Sequence, residues 1–143
     1  MKCFLATLFS VLWLSCSESG KKVDVSIPYV QPNQSALEAR QLIMGTWEWA
    51  KSMNQSTPNI VVNTPASTGC NLELIFFAND SVKFYLNDSL ISASTFLIDS
   101  GYYSSSLTLI MGAISGPDFK VSSEAFSYDN RPADGDFVYY IRK

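Results

Sequence analysis

The sequence predicts an all-β domain: a small antiparallel up-and-down barrel of about eight strands, entered through one short helix. Three observations predict it. From residue 45 onward apolar and polar residues alternate with period two in short runs, and Asn, Asp, Gly and Pro punctuate those runs at close spacing. Only one stretch, 35–44, carries helical spacing. Seven or eight short strands in series leave two unpaired edges, and closing the sheet on itself removes both.

The elements follow in order. Ser35 can cap a helix, Glu38 stands three residues on as the second half of a capping box, and Gly45 stops the helix after Leu42 and Ile43. The first strand covers 45–53, with Trp47 and Trp49 on one side and Glu48 on the other. Residues 54–69 are polar, carry Pro58 and Pro65, and read as a long loop with strand character at 60–62. Further strands are expected at 71–77, 81–86, 89–98, 106–111, 119–128 and 136–142, separated by turns at 78–80, 87–88 and 99–105 and by loops at 112–118 and 129–135. Alternation assigns Trp49, Leu74, Phe76, Phe84, Leu86, Phe96, Leu109, Val121 and Tyr139 to inward faces, where they either line a ligand cavity or simply fill the barrel.

Composition excludes several function classes. With 143 residues the chain holds one domain, and 47% hydrophobic against 16% charged residues is too apolar for a disordered chain. A net charge of −3, with no basic run, argues against nucleic-acid binding. The chain has no histidine, which removes the commonest general base and metal ligand. Glu48, Glu73 and Glu124 alternate with apolar neighbours and are expected in solvent. Asp129, Asp134 and Asp136 lack the order of a calcium loop and read as solvated turn acids. No catalytic residue, metal or cofactor is therefore expected: the chain reads as a non-enzymatic, monomeric protein.

Residues 1–16 carry a different signal. Lys2 supplies a positive charge, an uncharged and mostly apolar run follows from Phe4 to Leu14, and Ser15 precedes Cys16. The run is short for a bilayer span, which needs about 20 apolar residues. The pattern resembles a bacterial lipoprotein signal, cleaved before a cysteine that then carries lipid; the alternative is an ordinary secretory signal. The resemblance implies a signal peptide at 1–15, acyl chains such as palmitate on Cys16, and a tether at 16–34 leading to the barrel at 35–143. It also implies a lipid-anchored place in the cell envelope, on the outer membrane, facing the periplasm or the surface. Alternation of Val23, Val25 and Ile27 leaves a short edge strand open within the tether. With Cys3 removed and Cys16 acylated, Cys70 is left alone, so no intramolecular disulfide is expected.

Gly45-Thr46-Trp47 after a short helix resembles the Gly-x-Trp signature of lipocalins, and the stretches 65–69, 72–76 and 82–85 and the ending Tyr139-Tyr140-Ile141-Arg142 are similar to the lipocalin-like domains of lipoproteins from Bacteroidetes-type bacteria. The resemblance spans 35–143. It implies that Trp47 plugs the closed end of the barrel under Arg142, a cation–π contact of about 1–2 kcal/mol when partly desolvated. It also implies a small hydrophobic ligand; the alternative is an envelope interaction or structural lipoprotein with a filled barrel and contacts through 54–69 and 129–135. Asp80-Ser81-Val82 and Asp88-Ser89-Leu90 resemble the O-glycosylation sites of exported proteins from such bacteria, making Ser81 and Ser89 candidates.

Overall fold

A computed structural model of the chain describes residues 35–54, 60–100, 106–131 and 135–143; the expected signal peptide, Cys16 and the tether lie outside the described residues. Helix α1 (Ala36–Ile43) starts as its sequence specifies. Glu38 N donates to Ser35 Oγ at 3.2 Å, and Ser35 N donates to Glu38 Oε2 at 3.0 Å. Ala39 and Ile43, four positions apart, form its fully buried stripe. On the outer side Arg40 donates to Asp80 Oδ1 at 2.8 Å and to the Ala78 carbonyl at 3.0 Å, tying the helix to a hairpin turn.

The strands are β1 (Gly45–Asn54), β2 (Val61–Asn63), β3 (Leu72–Phe76), β4 (Ser81–Leu86), β5 (Ser89–Ser100), β6 (Leu107–Met111), β7 (Ile114–Val121), β8 (Ala125–Asp129) and β9 (Phe137–Arg142), with a one-turn helix α2 (Pro65–Thr68) between β2 and β3. Every pairing is antiparallel, and β9 returns to pair with β1, closing β1 and β3–β9 into an eight-stranded barrel. This is the expected all-β, lipocalin-like architecture. The ninth strand, β2, lies along Ser52, Met53 and Asn54 of β1, beyond the stretch Gly45–Glu48 that pairs with β3. Helix α1 and the turns at 78–80 and 122–124 lie at one end of the barrel, the closed end. The turns at 87–88 and 112–113, with β2 and α2, lie at the other.

Two segments depart from expectation. The run 119–128, expected as one strand, is broken: Ser122 Oγ accepts from the backbone N–H of Glu124 and Ala125, so Ser122-Ser123-Glu124 turn the chain and separate β7 from β8. Conversely, Gly116-Pro117 sit within β7 rather than in a loop. The ladder to β6 skips there, from Leu109↔Gly116 to Leu107↔Phe119, and Asp118 takes φ 50°. The irregularity accommodates a residue that cannot donate to a ladder.

The core fills the closed half. Trp47, Leu74, Phe76, Val82, Phe96, Leu109, Val121 and Phe126 are buried there. Phe126 is its centre: Trp47 meets it edge-on at 5.0 Å and 82°, while Tyr140 stacks on it at 4.5 Å and 12°. Such aromatic pairs add about 0.5–1.5 kcal/mol beyond area burial.

Candidate functional site: the hollow open half of the barrel

The closed end is built around Arg142. Its guanidinium carbon lies 4.1 Å from the centroid of the Trp47 ring. Its nitrogens donate to the carbonyls of Met44 (2.8 Å), Leu42 and Ser123, while Trp47 Nε1 donates to the Ile43 carbonyl at 2.6 Å. A cation thus satisfies carbonyls at the C-terminal end of α1, where the helix dipole is negative. Gly45 makes the approach possible: it takes φ +112°, and a Cβ there would stand 2.9 Å from Arg142 Nη1. The pair Trp47 and Arg142 is therefore in contact at the base of the barrel.

Above the Phe126–Tyr140 stack the barrel is hollow. A cavity of about 550 Å³ occupies the open half, within the range of small-molecule sites. The cause is a taper along β5: its cavity-facing Ser92 and Ser94 are small, whereas the next residues on that face, Phe96 and Ile98, are large and join the packed core. Trp49, Leu72, Phe84, Leu86, Met111 and Tyr140 supply most of the apolar wall, and Thr68 and Cys70 follow from α2 at its lip.

Two bulges set what faces inward. Between β1 and β9 the register passes from Trp49↔Tyr140 to Lys51↔Tyr139, leaving Ala50 unpaired. Strict alternation would send Lys51 to the side of Trp47 and Trp49. The bulge instead puts Ser52 into the cavity wall and Lys51 on the other face, its ammonium 5.6 Å from the Tyr139 ring centroid. Between β4 and β5 the register passes from Phe84↔Ser92 to Tyr85↔Leu90, and the unpaired Ile91 joins the lining.

One corner of the cavity is polar. The hydroxyls of Tyr128 and Tyr140 hydrogen-bond each other, and burial pushes Tyr128 up to about 12 and Tyr140 well above the ordinary tyrosine range. Tyr128 packs directly on the backbone of Gly116, where a Cβ would stand 2.6 Å from the ring. Asp136 lies beside this pair. Burial raises its pKa above the ordinary carboxyl value, against the side-chain hydrogen bonds of Asn54 and Ser52 that lower it. Its Oδ1 is buried and has no hydrogen-bond partner.

The structure sorts the nine residues expected to face inward. Trp49, Phe84 and Leu86 line the cavity. Leu74, Phe76, Phe96, Leu109 and Val121 face inward below it, as packed core. Tyr139 does not face inward: Arg142 over Trp47 fixes the even-numbered positions of β9 inside, so Tyr140 and Val138 line the cavity and Tyr139 lies on the opposite face with Lys51. Asp136, expected as a solvated turn acid, is cavity lining, while Asp129 is held by Arg131 Nε at 2.8 Å; Asp134 lies outside the described residues. Of the two candidate glycosylation sites, the Ser81 hydroxyl donates to Asn79 Oδ1 at 2.7 Å, while Ser89 is exposed beside the turn Asn87-Asp88. Cys16 lies outside the described residues. Among the described residues no group of three or more His, Cys, Asp or Glu comes together in a metal-ligating cluster.

Fold and site together define a closed up-and-down β-barrel whose base is packed and whose upper half is an apolar hollow with a single polar corner. Comparison with protein-family models, with curated proteins and with solved structures finds no match to this chain.

Proposed function

We propose that the chain is an exported, lipid-anchored lipoprotein of the cell envelope whose lipocalin-like barrel carries a small apolar ligand. The observation that carries the ligand reading is the cavity of about 550 Å³, walled by Trp49, Phe84, Leu86 and Met111 and placed at the end of the barrel away from the Trp47–Arg142 plug. A void of this size disfavours the filled-barrel alternative, because protein interiors otherwise pack with few gaps larger than a water molecule. The anchor reading rests on residues 1–16 alone: the charged start, the short apolar run and Ser15-Cys16. Ser89 is the better candidate of the two for glycosylation, since it is an exposed residue at a hairpin.

The test of the ligand reading is a titration of the full-length chain with the neutral dye N-phenyl-1-naphthylamine. Saturable binding near one dye per chain, lost when Ser92→Trp fills the cavity, is the expected result; uptake that is only linear, or unchanged by Ser92→Trp, overturns it. For the anchor, a bacterial host fed labelled palmitate should label the wild type and not Cys16→Ser. Equal labelling would leave the anchor reading without support. Intact mass of the exported chain tests Ser89: a mass equal to the bare lipidated polypeptide overturns the glycosylation.

A further inference from the structure

The charge around the cavity is one-sided. Asp136 is the one carboxylate, lysine or arginine side chain in the described lining; every other lining group is apolar, an indole, a hydroxyl, a thiol or an amide. Each nearby cation is turned elsewhere. The Ala50 bulge points Lys51 to the opposite face, Arg131 holds Asp129, and Arg142 is committed to carbonyls at the closed end. The carboxyl of Asp136 has Ser52 and Asn54 as hydrogen-bonding neighbours, yet Oδ1 has none. The hydroxyls of Tyr128 and Tyr140 hydrogen-bond each other, and neither is bonded to Oδ1. A buried carboxylate oxygen without a donor is a costly arrangement, and the torsion that carries it is soft. A donor held in the cavity can therefore capture it without moving the backbone.

Resting on the ligand reading above, we infer that the cavity takes an apolar molecule whose head carries an N–H or O–H and no negative charge, and that Asp136 sets this choice by accepting from that head and repelling anionic amphiphiles. The repulsion is strong for a simple reason: in the cavity an incoming carboxylate or phosphate loses water, meets a like charge, and finds no lysine or arginine among the described lining residues to compensate either. A cationic amine and a neutral hydroxyl both satisfy the same oxygen, and they differ only in the added charge attraction.

Displacement of N-phenyl-1-naphthylamine from the full-length chain by three ten-carbon competitors, decylamine, decanol and decanoate, tests the inference at neutral pH. The expected order is decylamine and decanol ahead of decanoate by at least tenfold. In Asp136→Asn, which keeps the shape and removes the charge, decanoate should gain on decanol and decylamine should lose its lead; Asp136→Ser serves as a second variant if the first folds poorly. If decanoate displaces the dye as well as decanol does in the wild type, the head-group inference is wrong while the ligand reading stands. If the ranking is right but neither variant alters it, Asp136 is not its source and the inference is also overturned. No saturable dye binding at all defeats the ligand reading, and this inference with it. The wild-type ranking needs no variant, so poor folding of a mutant cannot protect the idea.

Discussion

Gly45 and Arg142 stand so close that a single methyl group would collide with the guanidinium: a Cβ on Gly45 would lie 2.9 Å from Nη1. Two demands meet at this glycine. The backbone there takes φ +112°, a conformation side chains disfavour, and the surface it exposes is the seat of the cation that closes the barrel. Gly45→Ala should therefore lower stability by about 2 kcal/mol or more in urea unfolding, from backbone strain and overpacking together. In an Arg142→Ala background the steric part is gone, so the same substitution should cost less. Equal penalties in both backgrounds would show that the crowding with Arg142 carries no weight.

Arg142→Lys tests what the guanidinium does beyond carrying charge. Lysine keeps the charge but cannot reach the carbonyls of Leu42, Met44 and Ser123 together while lying flat on the Trp47 ring. We expect a loss of about 1–3 kcal/mol, in line with charged hydrogen bonds left unmade. A stability matching wild type would mean that the carbonyls are served equally well by water.

The cavity should be fillable. Ser92 is a small inward residue opposite Phe84 on the wall. Ser92→Trp should abolish dye binding while leaving the unfolding midpoint unchanged or higher, because it adds apolar contact where there is now space. Calorimetry and the dye titration on the same sample check both halves. A variant that is unstable and still binds dye would mean the side chain points elsewhere.

Asp129 and Asp136 should respond to pH with opposite signs. Asp136 has a folded pKa raised above 3.8, chiefly by burial, so the folded state binds more protons than the unfolded one as pH passes through that window. Its contribution to stability is whole below the unfolded value and is lost as pH rises through the folded value. Asp136→Asn should therefore look progressively better relative to wild type between pH 3 and pH 7. Asp129 is lowered from 3.8, first by the hydrogen bond from Arg131, so its contribution is present above the unfolded value and is lost as pH falls through the folded one. Asp129→Asn should look progressively worse over the same range. Urea midpoints at the two pH values decide it; parallel trends would contradict the placement of one of the two groups.

Much of the frame was legible in the sequence, because it rests on local rules. Ser35 with Glu38 announces the start of α1, Gly45 its end, and the Asn-Asp pair at 87–88 the hairpin between β4 and β5. What escaped has a common physical cause. A four-residue helix such as α2 contains too few positions to show a period, whereas the strand character at 60–62 does surface as β2. A bulge at Ala50 or Ile91 moves side chains to the other face without any sequence mark of its own. The inward face leading into and along β9, Asp136, Val138 and Tyr140 rather than Tyr139, is likewise unmarked in its own run: facing depends on register across strands. One signal was readable: small Ser92 and Ser94 preceding large Phe96 and Ile98 on one face of β5 is the taper that leaves the upper barrel empty.

The last strand closes the ring against the first, and Arg142 reaches back a hundred positions to the carbonyl of Leu42. The latch thus sits on the last strand of the barrel, and its partner lies before the first. Until it arrives, β1 lacks one neighbour, Trp47 lacks its cover and the barrel cannot lock. Such long-range pairing is slow to form. The barrel therefore sets hard only when the two ends of the domain have found each other, however early its separate hairpins form.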